Sequence, residues 1–403
     1  MGQHARQATT IRASEDGRYF IRPDGRPFFW LADTQWELLR LFPLEQVERI
    51  LVNRRRLGFT CVQVMLVGVD PLANIAGDSP WQGGDPARPD ERYFAHVDRA
   101  MELCRACEEM VFVVGVQHTV RMKGAVHAGN ARAWAQWVAR RYRDVPNLVW
   151  SMYPRAVEAD VPICREIAAG LIAGDGGAHP ITVHPDPSPT SSGPLLHAEP
   201  WLAFDSIQVF SRVELIDPMI SADRARRPPK PVVMAEGAYE AGEGYGFDVT
   251  PLWIRRQAYY SYLAGGHHSY GHDASWRLPP DWAEALDAPG AAQMGILRNA
   301  LTARDEWWRL VPDPALLGEA EPRDPRVRPF AARHEGGRWA LVYTAQPGPV
   351  DVDIDRLGAS GELTGWWVDP RTGLSTDPTP VGGPRATFST PDGWEDGLLV
   401  IES

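Results

Sequence analysis

Between about residue 28 and residue 310, short apolar runs rich in β-branched residues alternate with longer stretches of helical period. That alternation restricts the chain to a parallel α/β architecture. Eight runs recur: FFWLA (28–32), FTCVQVML (59–66), VFVVGVQ (111–117), NLVWSMY (147–153), PITVH (180–184), DSIQVF (205–210), PVVMAEG (231–237) and AGGHHSYG (264–271). The segments between them, such as LEQVERILVNRRRLG, NARAWAQWVARRYRD, VPICREIAAGLIAG and PLWIRRQAYYSYLAG, read as helices. Eight strand–helix units predict a closed (β/α)8 TIM barrel over 28–310, preceded by a lead-in at 1–27.

A helix read at 290–310 gives way to VPDPALLGEAEPRDPRVRP, rich in proline and charge, which reads as a linker spanning 311–334. Beyond it RWALVYT, VDVDID, LTGWWVDP, ATFST and LLVIES alternate apolar and polar residues between Gly/Pro/Asp turns. Residues 335–403 are therefore expected to form a small all-β antiparallel sandwich.

Composition narrows the function. The net charge is −11, from 41 basic and 52 acidic residues, and no basic patch is interleaved with aromatics, so nucleic acid is not expected as a partner. No uninterrupted apolar stretch is long enough to span a bilayer, and the first residues lack the apolar core of a secretion signal, so the expectation is a cytoplasmic protein without a membrane partner. Oligomeric state is not legible. The four cysteines do not make a disulfide scaffold. Cys104 and Cys107 form a C-x-x-C, but it lies within a helical pattern with no second ligand pair, so packed thiols are expected. Sixteen tryptophans are consistent with stacking on sugar faces, though Trp is also a core residue.

Barrel enzymes work at the C-terminal ends of their strands, so the polar residues that follow each run are the candidates. The first run leads into Asp33, with Trp36 beyond, and the second carries Gln63 and leads to Asp70 and Asn74. The third ends at His118, the fourth at Tyr153 with Arg155 following, and the fifth at His184. The sixth holds Gln208, the seventh ends in Glu236, and the eighth gives His267, His268 and His272 before Trp276. A single such residue is commonly a cap or loop anchor. Together, around one rim, they suit a ligand with many hydroxyl groups. Glu236 is the sharpest of them, since a carboxylate beside aromatics is what a retaining glycosidase needs as nucleophile. No metal or other cofactor is expected: His267 and His268 are adjacent and point to opposite sides of a strand, and no H-E-x-x-H pattern accompanies them.

These residues resemble a known family, the apiosidase-like glycoside hydrolases, whose barrel precedes a domain named for collagen binding. The likeness runs through FFWLADTQWELL, LGFTCVQVML, NIAGDSPW, RYRDVPNLVW, ITVHPDPSPTSSGPLLHAEPWLAFDSIQ, KPVVMAEGAYE, GGHHSYGHDASW, LDAPGAAQMG and GWWVDPRTG, nearly the whole chain. It implies Glu236, in M-A-E-G-A-Y-E, as nucleophile. It also implies an Asp as acid/base at the end of the fourth strand, where this chain reads W-S-M-Y-P-R and places Arg155. A guanidinium stays charged and cannot transfer that proton. Glu158, Asp160, Asp70, Asp78 and Glu199 are the neighbouring carboxylates, and the sequence does not choose among them. Arg155 admits two readings, a grip on an acidic sugar or an ion pair with Glu236 or another rim carboxylate.

The expected function is thus an exo-acting, retaining glycoside hydrolase on a small glycoside or oligosaccharide. Two alternatives stay open: a sugar-binding protein with weakened or lost hydrolysis, and a non-hydrolytic sugar lyase or isomerase. Burial of Trp366 and Trp367 separates a packing role for the C-terminal domain from a binding one.

Overall fold

The computed structural model describes residues 10–68, 72–318, 324–358 and 361–403. Eight parallel strands form the barrel wall: β1 (Leu31–Thr34), β2 (Cys61–Met65), β3 (Val111–His118), β4 (Leu148–Tyr153), β5 (Ile181–Val183), β6 (Asp205–Phe210), β7 (Val232–Gly237) and β8 (His267–Tyr270). Consecutive strands pair in parallel from β1 to β5 and from β6 to β8, and β8 returns to β1 through His268 opposite Leu31. The seam between β5 and β6 closes through a parallel bridge from Ile181 to Leu202, where Ala203 N–H donates to Ile181 O at 2.8 Å. A short antiparallel strand, Thr190–Ser191, adds to the outer edge of β6.

Each strand is followed by helix: α1 (Leu44–Arg56), α2 (Glu91–Ala106), α3 (Ala131–Tyr142), α4 (Val161–Asp175), α5 (Gly193–Leu196), α6 (Ile216–Arg224), α7 (Pro251–Leu263) and α8 (Pro289–Thr302). The runs read from the sequence are two-sided because both strand faces are covered. One face, including Val62, Val64, Phe112, Val114 and Ile207, packs under the helices. The other, including Ala32, Cys61, Val113, Val149, Val233 and Ala235, fills the lumen. The lead-in also does structural work: Ile11 and Phe20 join that lumen cluster, beside Phe28, and close the barrel's lower end. Cys104 is buried on α2 and Cys107 half-buried after it, and neither forms a disulfide.

Two boundaries differ from the sequence reading. The last helix stops at Thr302 instead of continuing to 310, and a few residues on Glu306 turns the chain with a left-handed φ of 50°. Residues 311–334 are not a plain linker, since β9 (Leu310–Pro312) and β10 (Phe330–His334) pair within them as strands of the C-terminal sheet. The sheet continues with β11 (Trp339–Thr344), β13 (Leu363–Val368), β14 (Thr379–Val381) and β16 (Gly397–Glu402). A two-stranded antiparallel sheet of β12 (Pro349–Asp353) and β15 (Arg385–Ser389) covers it, enclosing a second core of Val350, Val352, Leu363, Trp367, Leu399 and Ile401.

That sandwich is fixed to the flank of the barrel. Arg255 on α7 makes a buried two-point ion pair with Asp396 at 2.7 and 2.8 Å, and Tyr343 donates to the same carboxylate at 2.8 Å. Tyr259 stacks on Tyr343 with ring centroids 4.3 Å apart. Trp367 is buried in the sandwich core, and half-buried Trp366 lies under the Arg304 guanidinium. Both have packing roles.

Candidate active site

Glu236 reaches the lumen because β7 is irregular. Val233 and Ala235 already face inward, so strict alternation would turn Glu236 toward the helices. The register with β6 slips instead: Ile207 lies opposite Met234 but Gln208 lies opposite Glu236, leaving Ala235 as an extra residue. A bulge of this kind re-aims a side chain, and it delivers Glu236 Oε2 to 3.3 Å from His184 Nε2 on β5, across the barrel mouth. Two amides hold the bulge. Gln63 on β2 donates to Ala235 O at 2.9 Å. Gln257 on α7 accepts from Ala238 N–H at 2.8 Å and donates to Ala238 O at 3.0 Å. Any side chain at Gly237 would run into the Gln257 amide, which explains the glycine after the carboxylate.

Aromatic rings build the wall around this contact. Tyr153 stacks between His184, at 4.4 Å, and His118, at 5.4 Å. Trp36 meets Tyr153 and His184 edge-on and donates its indole N–H to Tyr239 OH at 2.9 Å. Tyr245 accepts from Tyr239 N–H at 3.1 Å and lies against Phe210, an exposed ring at the end of β6. Phe210 has a φ of 53°, a left-handed conformation that costs a non-glycine residue about 1–2 kcal/mol.

The electrostatics follow from burial. Burial and the nearby Glu236 charge raise the Tyr153 and Tyr239 phenols well above their ordinary range, so both stay protonated donors. Burial, with His184 alongside, lowers His118 to about 3, leaving a neutral imidazole. Several polar atoms here have no hydrogen-bond partner among the described residues: both ring nitrogens of His184 and Gln208 Oε1. Buried groups of that kind require a partner, and a polyhydroxylated ligand supplies one.

The sequence candidates divide on this geometry. Glu236, His184, Tyr153, His118, Trp36 and Gln208 come together, with Gln63 beneath them as a brace. Asp33 does not join them: it faces outward from β1 and pairs with Arg54 of α1 at 2.7 Å, both fully buried. His268 is also turned outward, buried beside Ser261 of α7, while His267 faces the lumen floor against Phe20. His272 caps the short helix Asp273–Arg277, accepting from Ala274 N–H at 3.2 Å, and Trp276 on that helix lies under Arg277.

Arg155 is held by Asp160, with Nη2 to Oδ1 at 2.7 Å, which meets its sequence reading as an ion pair with a rim carboxylate, the partner being Asp160 and not Glu236. Asp70 lies outside the described residues. Among the described residues no three His, Cys, Asp or Glu side chains are grouped to hold a metal ion. Sequence reasoning missed Tyr239, Tyr245 and Phe210. The aromatic spacing of EGAYEAGEGYGF was the available signal for the first two.

Residues 14–309 match the family model described as "Apiosidase-like, catalytic domain". The chain belongs to the apiosidase-like family. Residues 311–402 match a second model, "Putative collagen-binding domain of a collagenase". The apiosidase-like chain is similar in structure to a protein titled "Glycoside hydrolase", with a TM-score of 0.88, 23% identity, and coverage of 98% of this chain and 97% of that one. It is also similar to a glycoside hydrolase family 5 protein from Bacteroides vulgatus ATCC 8482, with a TM-score of 0.87, 24% identity and coverage of 98% and 93%. No curated protein matches it by sequence. Family and fold agree on a glycosidase acting on carbohydrate. Among the described residues no helix is long and apolar enough to cross a membrane.

Proposed function

We propose that this apiosidase-like protein is a retaining, exo-acting glycosidase of small glycosides, with Glu236 as its nucleophile. The observation that carries the reading is the bulge in β7, which turns a carboxylate into the barrel mouth within 3.3 Å of His184 and among aromatic rings. Glu236 would attack the anomeric carbon as the leaving oxygen departs, giving a glycosyl ester that water then opens. His184 would hold the attacking carboxylate, and the protonated Tyr239 and Tyr153 would donate to sugar oxygens. Trp36 meets His184 edge-on, and Tyr245, which feels the Glu236 charge, packs against Phe210; this aromatic enclosure favours entry of one terminal sugar over a continuous polymer.

The test is turnover of a panel of aryl and natural glycosides by the wild type and by Glu236→Gln, with the anomer first released read by NMR. Turnover with retained configuration, reduced on the order of 10^4-fold or more by the substitution, supports the proposal. Inverted product, full activity in the variant, or calorimetric sugar binding without turnover contradicts it; a product carrying a new double bond points to a lyase.

A further inference from the structure

Double displacement requires a second carboxyl group close to the nucleophile, about 5 Å away in retaining enzymes. Most acidic side chains near the barrel mouth are committed elsewhere. Asp160 is clamped by Arg155, accepting from both its backbone N–H and its guanidinium at 2.8 and 2.7 Å. Glu240 accepts from Tyr270 OH at 2.6 Å and Gly290 N–H at 2.9 Å. Glu199 pairs with Arg165 and Trp201, Asp78 faces Arg92, and Glu158 lies on the exposed side of the β4–α4 connection.

Asp186 is different. The chain after β5 stays extended, and His184 N–H donates to Met152 O at 2.9 Å while Asp186 N–H donates to Pro154 O at 3.0 Å. Residues of a parallel strand that send their N–H groups to the same neighbour share a face, so Asp186 projects on the side of His184, about 6.6 Å further along the rim. Ala156 N–H returns a bond to Asp186 O at 2.7 Å, and residues 155 and 186 are direct bridge partners. Asp186 is half-buried, and its carboxylate accepts no hydrogen bond from the described residues.

Resting on the reading of Glu236 as nucleophile, we propose that Asp186 is the general acid/base, placed on the extension of β5 beside the arginine at residue 155. In the first step the Glu236 carboxylate bonds to the anomeric carbon, the bond from that carbon to the leaving oxygen breaks, and the Asp186 proton passes to the leaving oxygen. In the second step Asp186 takes a proton from water, the water oxygen bonds to the anomeric carbon, and the ester bond to Glu236 breaks. Both carboxyl groups are then restored. Burial raises Asp186 above the ordinary carboxylate range and the Glu236 charge adds to this, against His184 and Arg121. That balance favours the protonated form needed at the start.

The experiment compares Asp186→Asn with wild type on 2,4-dinitrophenyl and alkyl glycosides, with and without azide. Alkyl glycoside turnover is expected to fall about 10^2–10^4-fold. The initial burst of dinitrophenolate should survive within about tenfold, because that leaving group needs no proton. Azide should accelerate the steady state and give a glycosyl azide of retained configuration, and the basic limb of the pH–rate profile should disappear. Titration of Asp186 by carbon NMR provides a readout that needs no substrate: Glu236→Gln should lower its proton affinity at least about threefold, as expected for coupled carboxyls. Equal loss on both substrate classes without azide product, or a titration unmoved by Glu236→Gln, overturns the assignment of Asp186 and leaves the nucleophile standing. Full activity in Glu236→Gln sinks the nucleophile assignment, and no turnover of any glycoside sinks the glycosidase reading; in either case the titration still decides whether the two carboxyls are neighbours.

Discussion

His184 Nε2 stands 3.3 Å from Glu236 Oε2, with Tyr153 stacked on the face of the imidazole 4.4 Å away. The contact is within ion-pair distance but not aligned as a hydrogen bond, and the ring has no other polar partner among the described residues. Substrate entry is expected to tighten it, as happens to catalytic contacts in ligand-free sites. His184→Ala should therefore lower kcat by about 10–100-fold, the equivalent of one hydrogen bond to a charged group, with a smaller change in KM. A change confined to KM would show that His184 only binds sugar.

Asp33 and Arg54 form an ion pair from which water is fully excluded. Removing one partner of such a pair typically costs about 3–5 kcal/mol. Asp33→Ala should lower stability by that order in denaturant unfolding, while the KM of the protein that remains folded changes by less than about threefold. A large KM effect at unchanged stability would return Asp33 to the substrate site.

Acid sensitivity should be traceable to His268. Burial lowers its pKa to about 3, whereas an unfolded histidine titrates near 6.5. Below pH 6.5 the unfolded chain takes up a proton that the folded chain refuses, so stability falls as pH drops from there toward 3. Between pH 7 and pH 5 this one residue accounts for about 2 kcal/mol at 1.36 kcal/mol per pH unit. His268→Met should lose correspondingly less stability over that interval in chemical denaturation; an identical loss would contradict the assignment.

Arg155 is half exposed and engaged with Asp160. An ion pair of that exposure is screened by solvent and contributes little to stability. Arg155→Met should leave kcat/KM on neutral glycosides within about threefold and reveal no selectivity for uronate glycosides over neutral ones. Loss of a uronate preference on substitution would revive the acidic-sugar reading.

The barrel was legible because a strand covered on both faces reads as an apolar run whatever its neighbours, and all eight runs overlap strands. The site was harder to read, because position after a run does not say which way a side chain points. Asp33 follows its run and His268 lies within its own, as Glu236 does, yet alternation turns both outward into the helix layer. Glu236 sits on the outward count as well, and only the slip at Ala235 brings it in. Nothing in PVVMAEG marks that slip. Asp186 was within reach of the sequence: it lies two residues past His184, and an extended chain returns every second side chain to one face. The C-terminal boundary was blurred because prolines and charges at 311–334 suggested a linker, while the strand pairing within them is non-local.

Glu236 as the covalent nucleophile is most directly tested by trapping. The protein would be incubated with activated 2-deoxy-2-fluoro glycosides, whose fluorine slows the opening of a glycosyl ester, then digested and analysed by mass spectrometry. The expected result is one added fluoroglycosyl group per chain, carried by the peptide of PVVMAEGAYE and fragmenting to Glu236. An adduct on any other carboxylate, or turnover of the parent glycosides with inverted product and no adduct, would contradict the account.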